Sequence, residues 1–106
     1  LTAVSGSGPA YVFYFIEALQ QAARELGLDA AQARQLSLET FLGAARLANQ
    51  SEEDAATLRA RVTSKGGTTE RALQSMENDG VRSAIARAIH TAHERAREMG
   101  DEYGKE

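Results

Sequence analysis

The sequence predicts an all-α chain of five helices. Three observations carry that expectation. The 106 residues hold one proline, Pro9, and it lies near the start. The remainder is rich in Ala, Leu, Arg, Glu and Gln, all good helix formers. No stretch sustains the apolar–polar alternation of a half-buried strand. The length suits one domain, residues 1–106.

The first helix is expected from Pro9 to Leu26. The run Tyr11-Val12-Phe13-Tyr14-Phe15-Ile16 has the aromatic and β-branched content of a strand. Pro9 fits a first helical position, however, and the run continues unbroken to Arg24, so length decides for helix. Gly27 is the expected left-handed stop. Asp29 caps the second helix, with Gln32 completing a capping-box pair, and that helix runs to about Asn49. Ser51 opens the third, with Glu52, Glu53 and Asp54 in its first turn, where negative charge suits the helix dipole. It ends near Val62. The fourth spans Thr68 to about Glu77, and Asn78-Asp79-Gly80 is a turn signal. The fifth runs from Val81 to Met99 and stops at Gly100, leaving a polar, frayed tail from Asp101 to Glu106.

The fifth helix carries an amphipathic stripe of Val81, Ile85, Ala88, Ile89, Ala92, Ala96 and Met99, the pattern of core packing. The first half of the first helix is apolar on every side, which marks a helix buried all round. The second combines Leu36, Leu38, Phe41, Leu42 and Leu47 with Gly43, Ala44, Ala45 and Ala48, small residues that permit close helix approach. A small domain buries proportionally little surface and cannot cover both helices. The expected cover is a second copy of the chain, in an obligate homodimer with an apolar interface centred on these two helices.

Bulk composition narrows the function classes. The chain is 42% hydrophobic and 25% charged, as in a water-soluble globular protein. The net charge of −3 and the interspersed signs leave no basic face for nucleic acid. No apolar run approaches the roughly 20 residues of a membrane span. The start, Leu-Thr-Ala-Val-Ser-Gly, lacks the basic and apolar regions of a signal peptide; beginning without Met in structured sequence, it reads as a fragment. With no cysteine, disulfides, thiol catalysis and Cys-based zinc sites are excluded, which is compatible with a cytoplasmic setting.

The segment richest in chemistry is Val62-Thr63-Ser64-Lys65-Gly66-Gly67-Thr68-Thr69-Glu70. Gly66 and Gly67 let the backbone turn tightly and approach a bound group. Thr68 and Thr69 then open a helix whose first N–H groups have no intrahelical partner. Those donors and the positive end of the helix dipole make a seat for an anion such as a carboxylate. The same spacing serves an ordinary connector with Thr68 as N-cap, and the loop alone leaves both readings open. It is no P-loop, because Lys65 precedes the glycines and no strand leads in.

Other constellations are weaker. His90 and His93 are one turn apart beside Glu94, a spacing that serves a metal but more often a solvated helix face. The acids Glu52 to Asp54 suit dipole and capping roles better than acid–base catalysis. No G-x-S-x-G elbow occurs. Ser5-Gly6-Ser7-Gly8-Pro9 has the composition of a phosphate loop without its strand or its G-x-G-x-x-G spacing, and reads as a helix-entry turn with Ser7 or Gly8 near the cap.

Two segments together exceed generic helix grammar: Ser5-Gly6-Ser7-Gly8-Pro9-Ala10-Tyr11, leading into an aromatic helix, and Val62-Thr63-Ser64-Lys65-Gly66-Gly67-Thr68-Thr69-Glu70-Arg71-Ala72-Leu73. The pair closely resembles the C-terminal domain of pyrroline-5-carboxylate reductase, whose signature the second segment matches as T-S-x-G-G-x-T-x-x-A-L. The resemblance runs from Leu1 into the fifth helix. It implies an interlocked helical dimer of the 6-phosphogluconate dehydrogenase C-terminal type, with dimers joining into decamers in many members. It implies reduction of 1-pyrroline-5-carboxylate to L-proline, the last step of proline biosynthesis, with NADPH or NADH bound by an N-terminal Rossmann domain. This chain has neither a dinucleotide fingerprint nor a βαβ pattern.

Carried over residue by residue, the resemblance implies that Ser64, Gly66, Gly67, Thr68 and Thr69 hold the substrate carboxylate. The contacts would be backbone N–H groups and the Ser64 hydroxyl. Thr69 would place its hydroxyl by the ring nitrogen as a candidate catalytic group, and Glu52 would line the site from a facing subunit. Lys65 departs from the family, many of whose members have proline there. Two rival readings remain from the sequence: a non-enzymatic helical dimerisation or adaptor module, and the helical domain of another Rossmann-partnered dehydrogenase.

Overall fold

The computed structural model describes residues 1–103, with side chains as far as Gly100. It is all-α. An opening π-helical turn, Thr2–Gly6, is followed by α1 (Gly8–Glu25), α2 (Ala30–Gln50), α3 (Ala55–Arg61), α4 (Thr68–Asn78) and α5 (Val81–Tyr103). Two compact units are present. One is Tyr11–Thr63, holding most of α1 with α2 and α3; the other joins Leu1–Ala10 to the residues from Ser64 onward.

In the Tyr11–Thr63 unit the helix ends follow local hydrogen bonding. Beyond α1, the Gly27 N–H donates to the Arg24 C=O (3.0 Å) and the Leu28 N–H to the Ala23 C=O (3.2 Å), the paired closure of a Schellman motif. The capping box of α2 is complete: the Gln32 N–H donates to Asp29 Oδ1 (2.8 Å) and the Asp29 N–H to Gln32 Oε1 (3.1 Å). The third helix begins later than expected. Ser51 instead closes α2, donating its N–H to the Leu47 C=O (3.0 Å). Asp54 is the N-cap of α3, accepting the Thr57 N–H at 2.9 Å. Glu52 and Glu53 precede that helix, and Glu53 pairs with Arg61 at 2.6 Å across exposed surface.

Between α1 and α2, the Phe15 and Phe41 rings meet edge to face with centroids 5.6 Å apart. Ala33 and Ser37 on α2 are buried. No residue of α1 is buried within the chain, although its sequence is that of a helix buried all round. Tyr14 is 76% exposed and Phe13 64%, with Leu36, Leu42 and Leu47 of α2 also exposed.

In the other unit, α5 packs against the opening turn and against α4. Ala3 is buried. The π-helical turn was not legible in the sequence; the Ser7 N–H reaches back to the Thr2 C=O at 2.8 Å. It does supply the expected helix entry, since the Ser7 C=O accepts the Ala10 N–H at 3.0 Å. The stripe on α5 is only partly covered: Ile89, Ala92 and Ala96 are half-buried, Ile85 and Met99 exposed. The fifth helix also continues through Gly100 to Tyr103. Glycine in a helix costs about 1 kcal/mol, and it ends one only when it turns left-handed, which Gly100 does not do. Of the tail expected from Asp101, residues 104–106 lie outside the described residues.

The α3 cap makes a pH prediction. The Thr57 backbone N–H, and secondarily the Thr57 side chain, hold the Asp54 carboxyl below its ordinary value. A carboxylate whose folded pKa is lowered stabilises the fold above its unfolded pKa of about 3.9, and the contribution is lost as pH falls through the folded value. Protection of the Thr57 amide from hydrogen exchange is expected to hold at neutral pH and to fail in that acidic window. Asp54→Asn, which still caps, is expected to remove the acid dependence there.

Candidate functional site

The loop between α3 and α4 resolves into parts with separate tasks. Thr63, at its start, serves α3: its hydroxyl donates to the Arg59 C=O (2.6 Å) and its N–H to the Ala60 C=O (3.1 Å). One of the four hydroxyls crowding the loop is thereby spent on closing a helix.

From Ser64 a tight turn begins. The Gly67 N–H donates to the Ser64 C=O at 3.0 Å, closing a four-residue turn over Lys65 and Gly66. Gly66 has φ +78°, the left-handed value that the third position of a type II turn demands. Gly67 is favoured for a different reason: a Cβ there would sit 3.2 Å from the Ser64 carbonyl oxygen, a contact that the turn relieves only by giving a few tenths of an ångström.

Gly67, not Thr68, is the N-cap of α4, with extended backbone and no side-chain cap. Glu70 replaces the missing cap: its Oε1 accepts the Gly66 N–H at 2.8 Å. The N–H groups of Gly66 and Gly67 are therefore both engaged in this conformation. Those of Thr68, Thr69 and Glu70 have no acceptor among the described residues. The hydroxyls of Ser64, Thr68 and Thr69 are likewise without partners there, and all three residues are exposed. Three free backbone donors and three free hydroxyls stand at the positive end of the eleven-residue α4. Donors so arranged suit a small anion. The glycines shape the turn, and the helix start presents the donors.

Glu52 belongs to the Tyr11–Thr63 unit. It lies in the bend before α3, exposed, and its carboxylate has no hydrogen-bond or ion-pair partner among the described residues. His90 and His93 stay one turn apart on α5; no group of three or more potential metal ligands is gathered among the described residues. No helix there is long and apolar enough to cross a membrane. The residue that sequence reasoning missed in this loop is Glu70. Its signal was its place three residues after the helix cap, the acidic position of a capping box.

Comparison with known proteins bears on what the loop serves. A family described as pyrroline-5-carboxylate reductase dimerisation matches residues 1–99, across both units. The pyrroline-5-carboxylate reductase of Pseudomonas aeruginosa is 44% identical over 105 residues, 99% of this chain and 38% of that protein. Pyrroline-5-carboxylate reductase 3 of Xenopus laevis is 48% identical over 99 residues, 93% of this chain and 36% of that protein. Among solved structures, Plasmodium falciparum pyrroline carboxylate reductase with NADP bound matches with a TM-score of 0.90 at 34% identity, over 93% of this chain and 38% of that one. A Coxiella burnetii pyrroline-5-carboxylate reductase matches with a TM-score of 0.88 at 47% identity, over 92% of this chain and 36% of that one. The chain spans well under half the length of these relatives. The adaptor reading and that of the helical domain of another Rossmann-partnered dehydrogenase are not favoured by these matches. From its opening turn into α5, the chain belongs to the pyrroline-5-carboxylate reductase dimerisation family.

Proposed function

We propose that this chain is the dimerisation and substrate-binding domain, residues 1–106 taken as one domain, of an enzyme that reduces 1-pyrroline-5-carboxylate to L-proline. The observation that carries the reading is the seat at Ser64–Thr69, with its unengaged N–H groups and hydroxyls, in a chain that matches the family almost end to end.

The substrate is a small cyclic imine with one carboxylate. The N–H groups of Thr68 and Thr69 and the Ser64 hydroxyl hold the carboxylate, with Gly66 and Gly67 setting the turn that lets it approach. A carboxylate accepting several N–H bonds at a helix N-terminus is fixed in direction as well as place. Thr69 is then the hydroxyl nearest the ring. A threonine hydroxyl is too weak an acid to protonate the ring nitrogen unaided, so Thr69 orients that proton, with water or the iminium itself supplying it. Glu52 is assigned to the site's wall from a facing subunit.

A nicotinamide cofactor, NADPH or NADH, supplies the hydride. The described residues contain no strand and no glycine-rich strand-to-helix turn of the dinucleotide-binding kind. Dinucleotide binding is assigned to the part of the relatives' length that the chain does not span. The cytoplasm is the compartment that suits a cysteine-free biosynthetic enzyme.

Homodimerisation is supported by exposure. Within the Tyr11–Thr63 unit, Phe13 and Tyr14 of α1 and Leu36, Leu42 and Leu47 of α2 are exposed. Large apolar side chains gathered on two neighbouring helices mark an association surface. The apolar groove lined by Phe15, Leu19, Thr40, Phe41, Ala44 and Ala45, between α1 and α2, suits a helix of a second copy.

Three outcomes test this reading. The full-length protein is expected to oxidise NADPH or NADH only when pyrroline-5-carboxylate is present, and Thr69→Ala and Thr69→Val are expected to lower kcat/KM alike, by about 10–100-fold. An unchanged kcat/KM in Thr69→Ala removes the residue from the mechanism. Sedimentation at micromolar concentration is expected to show a dimer or a heavier multiple such as a decamer; a stable monomer alone refutes the interface. Lys65 occupies the second position of the Ser64–Gly67 turn, where proline is pre-set, and its N–H is not engaged. Lys65→Pro is therefore expected to stabilise the fold by about 0.4–1 kcal/mol, read as a rise in Tm.

A further inference from the structure

We propose that Glu70 is a positioning residue for the carboxylate seat: by holding the Gly66 N–H, it fixes the turn that aims the free donors of α4 at the substrate. The proposal rests on the carboxylate-seat reading above. In an ordinary capping box the acid at this helix position returns to the N–H of the cap residue. Here the cap N–H, that of Gly67, is already spent on the Ser64 C=O. The Glu70 carboxylate reaches one residue further and takes the N–H of the left-handed Gly66, at 2.8 Å.

That choice has a physical reason in this chain. The turn from Ser64 to Gly67 is closed by a single backbone hydrogen bond. Its second position is Lys65, whose φ is free to vary where a proline ring would lock it. Its third is a glycine, the residue with most freedom to lose. The Glu70 contact ties this weak link to the first turn of α4. Glu70 is half-buried, unlike Ser64, Lys65, Thr68 and Thr69 around it. The contact also occupies the carboxylate, which would otherwise stand unpaired beside a seat for another carboxylate.

The hydrogen bond needs an acceptor oxygen and not a charge, so glutamine preserves it and alanine removes it. Steady-state kinetics of full-length Glu70→Ala and Glu70→Gln variants separate these. Glu70→Ala is expected to raise KM for pyrroline-5-carboxylate by about 5–10-fold, the scale of one lost hydrogen bond that holds the turn, with kcat and the nicotinamide KM within about twofold of wild type. Glu70→Gln is expected to stay within about threefold of wild type on every parameter. An unchanged KM in Glu70→Ala overturns the proposal. So does a Glu70→Gln variant as impaired as the alanine, or a uniform loss in kcat and both KM values with a lowered Tm, which marks a merely structural cap. Ser64→Ala is the control: a raised pyrroline-5-carboxylate KM there, with none in Glu70→Ala, retires Glu70 and leaves the seat standing. No effect from Ser64→Ala or Thr69→Ala, or no reduction of pyrroline-5-carboxylate at all, retires both.

Discussion

The constraint on which the rest depends is that the chain makes helices it cannot bury. Ala3 and Ala33 are its only buried apolar residues among those described. Two alanines supply almost none of the hydrophobic stabilisation a fold needs, since a large buried aliphatic or aromatic side chain contributes about 1.5–3 kcal/mol and alanine far less. The edge-to-face pair of Phe15 and Phe41 adds about 0.5–1.5 kcal/mol beyond its burial, which cannot make up the difference. Local closures are nevertheless sound: the capping box at Asp29, the paired bonds after α1 and the Asp54 cap fix where helices begin and end. Caps of this sort decide element boundaries, and burial decides whether the elements persist. The missing burial has to come from outside the single chain, and membership in a dimerisation family is the form that dependence takes.

The candidate seat is built on the opposite principle. It needs no apolar cover, because its donors are backbone N–H groups made available by a helix start. Its geometry depends on two glycines with distinct reasons: the positive φ of Gly66 and the close approach of Gly67 to the Ser64 carbonyl. Glu70 and Lys65 then act on how firmly that geometry is held. Proline in place of Lys65 would restrain the turn through φ; Glu70 restrains it through a hydrogen bond. One restraint is intrinsic to the chain and the other depends on a partner atom, so the two respond differently to substitution.

Much of the fold was legible because helix grammar is local. Pro9, Gly27, Asp29 with Gln32, and Asn78-Asp79-Gly80 marked boundaries that the structure places within a residue or two. The misses are equally local. Ser51 and Asp54 are both good caps, and their competition was settled by Ser51 closing α2 while Asp54 took the Thr57 N–H. Gly100 read as a stop because glycine has two uses in helices, and composition does not distinguish them. The opening π-helical turn has no sequence signature. In the loop, the tight glycine turn and the helix start after it were legible, whereas the spending of the Thr63 hydroxyl on Arg59, and of the Gly66 N–H on Glu70, depends on rotamers and distances that spacing does not encode.

Because the proposed seat draws on backbone N–H groups, side-chain changes at Thr68 remove a hydroxyl and leave those N–H groups in place. Changes at Gly66 act on the turn itself. At φ +78° an L-residue with a Cβ is strained by roughly 1–2 kcal/mol, and nothing lies within 4 Å of a Cβ built there to offset that strain or add to it. At Gly67 the constraint is steric instead: a Cβ there would sit 3.2 Å from the Ser64 carbonyl oxygen, which would have to give by a few tenths of an ångström. That same oxygen accepts the Gly67 N–H that closes the turn at 3.0 Å, so the closing bond sets how far it gives. The two adjacent glycines are therefore constrained in different ways, Gly66 by its φ and Gly67 by a close backbone contact.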